Sequence, residues 1–398
     1  MKSPTWQAYL WIAVVFSAFA TLSLLAAGVV PLTGSQIGRI LGKGPMSDPN
    51  VIQWKLLFLQ GSAIAAGMTL LGALAAVIAT GRARAFISYP RMAWAMAWDD
   101  ARALASDLPH LVVLAIVLAF GALMLLLHSG RQLEYDEAFS FLVNADQGLG
   151  RVFGWYNVPN NHVMHSFAMW ATTRAFGSAE WAVRLPAMIG AMLTMGLTYW
   201  VGRRWCSPTV GILAAGLLCA SPYFIYYGTN GRGYTLQCAC FLAQLLAVRY
   251  LLDTQRFLAP WLALYALAGA FSLGIVPSAL FGYVGVFVVG LAGLLLEPSI
   301  PRRWWKLAGF FLANALAVLL VLLIYSAITR TAGLAPLVSN PFTKPIGTKE
   351  FLNQYQGWLA ASASAFSKGW PGPLALALAV LAGATLLEPL ALSRRRFP

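Results

Sequence analysis

The chain predicts an all-α fold: a polytopic membrane bundle of about ten transmembrane helices with juxtamembrane helices on its outer face. Composition is the first observation behind this. Of 398 residues, 59% are hydrophobic and only 10% charged, and mean hydropathy is +0.70. The second is the recurrence of nearly charge-free runs long enough to cross a bilayer core, which takes about 20 residues of helix. The third is the placement of Arg and Lys in short segments between alternate runs. A soluble domain with a single core is excluded.

The spans follow in order. Runs over 8–28 and 57–80 form a two-span lead-in, extending to residue 108. It ends in the segment RARAFISYPRMAWAMAWDDARALASDL, where Trp94 and Trp98 share a face and predict an interfacial helix. The first run reads as a retained anchor, since its basic flank is weak and no small-x-small cleavage site is clear. A third span, 110–128, leads into a long acidic loop. Beyond it lie spans over 185–201, 208–228 and 233–248. The run 257–296 is too long for one span, and Val276-Pro277-Ser278 breaks it into two short helices. A further span covers 307–328, and the last covers 371–387. These divide the chain into a lead-in (1–108), a membrane module (109–328), and an outer loop with the final span (329–398).

Two segments outside the spans predict surface helices on the outer face. HVMHSFAMWATTRAF is apolar but too short and interrupted to cross, and EFLNQYQGWLAASASAF follows the Pro-broken stretch APLVSNPFTKP. Together they can frame one cavity.

Orientation comes from the basic residues. Arg203-Arg204, Arg249 with Arg256, Arg302-Arg303 with Lys306, and Arg394-Arg395-Arg396 fall on one side, joined by Lys2, Arg82, Arg84, Arg91 and Arg102. The positive-inside rule makes that side cytoplasmic, with both termini inside. The same rule and anionic headgroups account for the net charge of +14, because no aromatic-basic stripe suited to nucleic acid accompanies it. Cys206, Cys219, Cys238 and Cys240 all lie in or beside spans. Disulfides are not expected, and Cys238 and Cys240 diverge by about 200° on a helix, so they read as packing residues.

Chemistry concentrates in LEYDEAFSFLVNADQGLGRVFGWYNVPNNHVMHS, residues 133–166. Acids beside a bilayer are costly without a task, and Glu134, Asp136 and Glu137 fall within four positions. No phosphate-loop pattern exists, since Gly231-Arg232-Gly233 lacks a following Lys-Ser/Thr. An outer-face enzyme cannot draw on cytoplasmic nucleotide donors. Its activated substrate is expected to be lipid-linked, and sugar transfer from a polyprenyl phosphate needs a carboxylate to take the acceptor proton and cations to hold the departing phosphate.

Asp136 and Glu137 supply the carboxylates. For Asp136 the competing reading is a solvated acid or a partner for Arg131 or Arg151. Glu137 is a supporting acid or hydrogen-bond acceptor. Glu134 and Asp146 read as solvated. Arg184 and Arg232, at outer helix ends, supply the cations; the competing reading is snorkelling. Tyr234 adjoins Arg232. Asn160, Asn161, His162 and His165 are candidate substrate contacts, the histidines sharing a helix face at i and i+3. With Asp136 they can also hold a divalent cation, although two His without an assured third ligand is a weak signal and no cofactor is assigned. Tyr223, Phe224, Tyr226 and Tyr227 can stack on sugar or isoprenoid, or form an interface belt. Lys344 and Lys349 are weaker phosphate candidates.

The series YDEAFS, VPNNHVMHS, FGSAEWAVRLPAMIG, a cytoplasmic GRR and ASPYFIYYGTNGRGYTL, over about 110–255, resembles the GT-C glycosyltransferases. More narrowly it is similar to bacterial relatives of protein O-mannosyltransferases and lipid A aminoarabinose transferases, glycosyltransferase family 39. The resemblance implies a GT-C-like bundle in a bacterial inner membrane. It further implies inverting transfer from a polyprenyl-phosphate sugar to a lipid, glycan or protein acceptor on the periplasmic face, with Asp136 near the nucleophile. A flippase of lipid-linked saccharides would instead place ionisable residues along a path through the bilayer, and these spans are almost free of charge. A noncatalytic assembly subunit is a third reading, in which Asp136 is replaceable.

Overall fold

A computed structural model describes residues 99, 101–156, 160–253, 258–297, 300–332, 337 and 348–367. The expected lead-in spans, the Trp94/Trp98 helix, Lys344, the last span and the terminal arginines lie outside these residues. Helices make up the described structure, with no strand among the described residues.

The membrane helices match the expected runs. They are α1 (Leu108–Ser129), α5 (Glu180–Trp205), α8 (Tyr234–Asp253), α9 (Leu258–Ile275), α10 (Leu280–Leu296) and α11 (Arg303–Ile324). Among the described residues, five segments are long and apolar enough to cross a membrane: α1, α5, α8, α11, and α10 taken with the short 3-10 turn Pro277–Ala279 that precedes it. The chain is therefore a multi-pass membrane protein. The run 208–228 is not one straight span. It is α6 (Pro208–Ala220) and α7 (Pro222–Gly228), bent by 74° at Ser221. Pro222 lacks the N–H that would continue α6, and the Ser221 hydroxyl caps the new helix by accepting from Phe224 N–H. The break at Val276-Pro277-Ser278 falls where the sequence places it.

Shorter helices gather at one end of the bundle: α2 (Tyr135–Phe139), a π-helical turn over Ser140–Ala145, α3 (Leu149–Gly154), α4 (Val163–Phe176), α12 (Ser326–Thr331) and α13 (Thr348–Ser367). One expectation is corrected here. The α4 segment does not simply lie along the surface, because Val163, Met164, His165, Ser166 and Met169 are buried.

Helix α5 is central, packing against α1, α4, α6 and α8; α8 carries α9, which packs on α11. The α5–α8 crossing is tight. A Cβ at Gly190 would stand 2.6 Å from Leu236 N, so only glycine permits the approach. Two hydroxyls then bridge the helices: Thr194 donates to the Thr235 carbonyl and Thr235 to the Ala187 carbonyl. Within α5, Pro186 leaves the Ala182 carbonyl without its helical donor, and the Thr172 hydroxyl of α4 supplies one at 2.9 Å. Deeper in the bundle, Asn314 accepts from the hydroxyls of both Tyr265 and Tyr283, joining α9, α10 and α11.

The basic residues Arg203, Arg204, Arg249, Arg303 and Lys306 lie at the C-terminal ends of α5 and α8 and the N-terminal end of α11. That is the opposite end from Arg184, which sits in the first turns of α5. The 26-residue α5 is about 39 Å long, enough to separate the two ends by a membrane thickness. The four cysteines are free.

Candidate active site

The acidic loop is built around a capping box. Helix α2 starts after Glu134, whose backbone N–H donates to Glu137 Oε2 at 2.8 Å, and the Glu134 side chain returns the bond at the other end of the turn. This spacing, Glu-x-x-Glu, fixes the direction of two neighbouring side chains. Glu137 turns inward and is fully buried; Asp136 turns outward and is exposed.

Glu137 meets Arg184, also fully buried. Arg184 Nε and Nη2 donate to Oε1 and Oε2, each at 2.8 Å, a bidentate pair. Glu137 Oε1 also accepts from Gly231 N–H at 2.6 Å. Burial pushes the Glu137 carboxyl up, but the Arg184 bonds and the Glu134 and Gly231 N–H groups outweigh it and hold the group below its ordinary value. The remaining Arg184 donors go to the carbonyls of Ser129, Arg131 and Gln132. All five N–H donors of the guanidinium are therefore used. The phosphate contact expected of Arg184 therefore finds no free donor on it: the residue is a buried clamp joining the end of α1, the α2 loop and the Gly231 turn.

Asp136 carries no side-chain hydrogen bond or ion pair to another described residue. Its expected competitors for a partner are engaged elsewhere. Arg131 pairs with Glu134 at 3.6 Å, and Arg151 donates to the Val143 carbonyl and stacks 3.8 Å from Trp155. Glu134 is not merely solvated, as expected, since its carboxylate also accepts from the Tyr226 hydroxyl at 2.5 Å. Asp146 is exposed.

Arg232 has a different environment. It is 7% exposed, with Nη1 3.3 Å from both Ser140 Oγ and the Asn160 carbonyl, and Nη2 3.0 Å from His162 Nε2. Its Nε–H has no partner, and no carboxylate pairs with it among the described residues. Gly233 N–H points at His162 Nδ1, 3.1 Å away. Gly233 must be glycine for this contact, because a Cβ there would stand 2.3 Å from Ile275 and 3.0 Å from His165 Cβ.

His162 thus faces a donor at each ring nitrogen, yet a neutral imidazole has only one lone pair to offer. Burial and the neighbouring Arg232 charge hold His162 well below the ordinary histidine value and His165 down to about 3, so both are neutral near pH 7. His165 is fully buried, and neither of its ring nitrogens has a partner. The cluster has donors in excess and a positive charge without a counter-ion. What the cluster lacks is a hydrogen-bond acceptor that carries negative charge.

Of the other expected contacts, Asn160 offers its carbonyl to Arg232 and leaves Oδ1 unpartnered, so it belongs to this cluster. Asn161 does not. Its amide donates to the Val152 and Trp155 carbonyls and its oxygen accepts from Ser166, which ties α3 to α4. Tyr234 packs edge-on to His162, ring centroids 5.0 Å apart. Lys349 is exposed at the start of α13. No group of three His, Cys, Asp or Glu side chains converges among the described residues.

Residues 159–325, which include Arg184, Arg232 and both histidines, match the family model described as dolichyl-phosphate-mannose-protein mannosyltransferase. Over this segment the chain matches a GT-C glycosyltransferase domain. No curated protein and no solved structure gives a significant match. At family level this match supports membrane glycosyltransferase activity with a lipid-linked donor. The matched segment begins after the Asp136 loop, which the glycosyltransferase domain holds in place through Arg184 and Gly231.

The structure separates groups that look alike in the sequence. Sequence reasoning placed both arginines at the phosphate and overlooked Ser140, Glu134 with Tyr226, and the Gly231 N–H. The capping-box spacing of Glu134 and Glu137 was the available signal that the second acid turns inward.

Proposed function

We propose that this protein transfers a sugar from a polyprenyl-phosphate donor to an envelope acceptor, on the periplasmic face of a bacterial inner membrane, by inverting displacement. The observation that carries the reading is the division of labour in the Asp136-Glu137 pair. Glu137 is spent on Arg184, and this lock presents Asp136 as an exposed, unpartnered carboxylate at the same end of the bundle as Arg232.

In the reaction, the acceptor hydroxyl gives its proton to Asp136 as its oxygen forms a bond to the anomeric carbon. The bond from that carbon to the phosphate oxygen breaks, and its electron pair leaves with the polyprenyl phosphate. Arg232 holds the growing negative charge, with His162 as a neutral hydrogen-bonding neighbour. A charge-assisted bond that strengthens as the phosphate departs lowers the barrier rather than merely tightening the ground state. Arg184 contributes by fixing the loop. The gathering of arginines at the far end supports the periplasmic placement of the site through the positive-inside rule.

The test is donor choice with the purified protein. A polyprenyl-phosphate sugar should be consumed with inversion at the anomeric carbon, and soluble nucleotide sugars should be inert. Robust turnover of a nucleotide sugar, or retention of configuration, would overturn the reading.

A further inference from the structure

A wall of aromatic rings connects the two ends of the site. Tyr226 lies under the Arg131 guanidinium, 4.7 Å from its ring centre, and its hydroxyl holds Glu134 two residues from Asp136. Tyr226 stands edge-on to Tyr227 at 5.2 Å between centroids, Tyr227 edge-on to Tyr234 at 5.3 Å, and Tyr234 edge-on to His162 at 5.0 Å. His162 then meets Arg232. Near-perpendicular pairs of this kind are a favoured aromatic geometry and make the row rigid. The wall is open: Tyr227 is 36% exposed and Tyr234 37%.

Its position matters chemically. In a displacement at an anomeric carbon, the nucleophile and the leaving oxygen lie on opposite sides of that carbon, so the sugar ring occupies the space between base and phosphate. Those two groups are Asp136 and Arg232, and Tyr227 and Tyr234 belong to the row of rings that joins their neighbourhoods. A pyranose presents a face of C–H groups bounded by hydroxyls. Phenol rings match both parts, with a π face for the C–H groups and an O–H for the rim. An isoprenoid chain has no use for hydroxyls or for cations at each end of its groove. A belt of interfacial tyrosines would be spread around the bundle at headgroup level rather than joined in one row to the site's own charges.

We propose that Tyr227 and Tyr234 form the subsite that receives the transferred sugar ring, with Tyr226 and Arg131 anchoring the wall. This rests on the transferase reading above.

The test compares binding of two lipids to the full-length protein in nanodiscs: a polyprenyl-phosphate hexose, and the same polyprenyl phosphate without sugar. Wild type should favour the sugar-bearing lipid by about tenfold or more, the scale of one or two aromatic contacts. Tyr227→Leu and Tyr234→Leu should each remove most of that preference while leaving the sugar-free lipid within about threefold of wild type, and Tyr→Phe should keep most of it. The Phe variants and a melting temperature for each protein separate loss of the wall from loss of the fold.

Equal weakening of both lipids in the Leu variants would assign the wall to the isoprenoid and overturn the proposal. Unchanged binding of both, or no preference in wild type, would overturn it as well. Because the readout is binding, the two readings fail separately. A sugar preference that depends on the tyrosines, without transfer, would sink the transferase reading and leave the subsite standing. Transfer with an intact preference in the Leu variants would do the reverse.

Discussion

Glu137 and Arg184 form a bidentate ion pair, 47 residues apart in sequence and fully buried, with both oxygens 2.8 Å from guanidinium nitrogens. Three backbone carbonyls and the Gly231 N–H complete the arrangement. Desolvating two charges is expensive, and this pair is retained because every remaining donor and acceptor in it is satisfied. Its consequence is mechanical: it sets the direction in which Asp136 faces.

Breaking the pair should therefore destabilise the fold. Arg184→Gln leaves Glu137 buried without its cation, and Glu137→Gln leaves Arg184 without its anion; each should cost about 3–5 kcal/mol, the range for removing one member of a buried pair. Arg184→Lys should rescue poorly, since an ammonium cannot span both oxygens and three carbonyls. Thermal melting in detergent measures this. Wild-type stability in Arg184→Gln with a specific loss of donor binding would return Arg184 to the phosphate.

Arg232 should behave in the opposite way. Its guanidinium has no carboxylate to strand among the described residues, so Arg232→Gln should leave melting close to wild type and lower kcat/KM by about 10²–10³-fold, as for loss of one charge-stabilising donor. Arg232→Lys should recover part of it. Steady-state kinetics against donor concentration, paired with melting curves, separates this from a structural loss.

The pH dependence follows from the buried histidines. A neutral ring in the folded state and an ordinary histidine in the unfolded chain mean that the unfolded state binds more protons below pH 6.5. Stability from His165 is full above the ordinary value of 6.5 and falls as pH drops toward about 3, with a slope near 1.4 kcal/mol per pH unit. His162 adds in the same direction. Glu137, held below its ordinary 4.5, contributes stability above that value which is lost as pH falls through its folded one. Melting temperature should decline from pH 7 to pH 5, and His165→Phe should flatten the decline. A flat wild-type profile across that interval would contradict the burial of neutral histidines.

Much of the fold was legible because it depends on local composition. Charge-free runs mark the spans, and Val276-Pro277 breaks one where the sequence says it must. The 74° bend at Ser221 escaped, since a Ser-Pro step in an apolar run also reads as a tolerated kink. In the site, residue types were legible and pairings were not. Asp136 and Glu137 are adjacent and equally acidic; only the capping box and the arrival of Arg184 from α5 decide which is free. Arg184 and Arg232 look alike in sequence, each at a helix end, and differ because one meets a carboxylate and three carbonyls while the other meets a histidine. Such contacts span 47 to 70 residues and carry no local periodicity.

The most direct measurement is turnover of Asp136→Asn with a polyprenyl-phosphate sugar and acceptor. Asparagine keeps the size of the side chain and removes its basicity, and the exposed carboxylate it replaces holds no partner among the described residues. Transfer should fall by about 10²–10⁴-fold, the range for loss of a general base, with melting temperature and donor binding unchanged. Near-normal turnover in the folded variant would show that the acceptor proton goes elsewhere and would contradict the account.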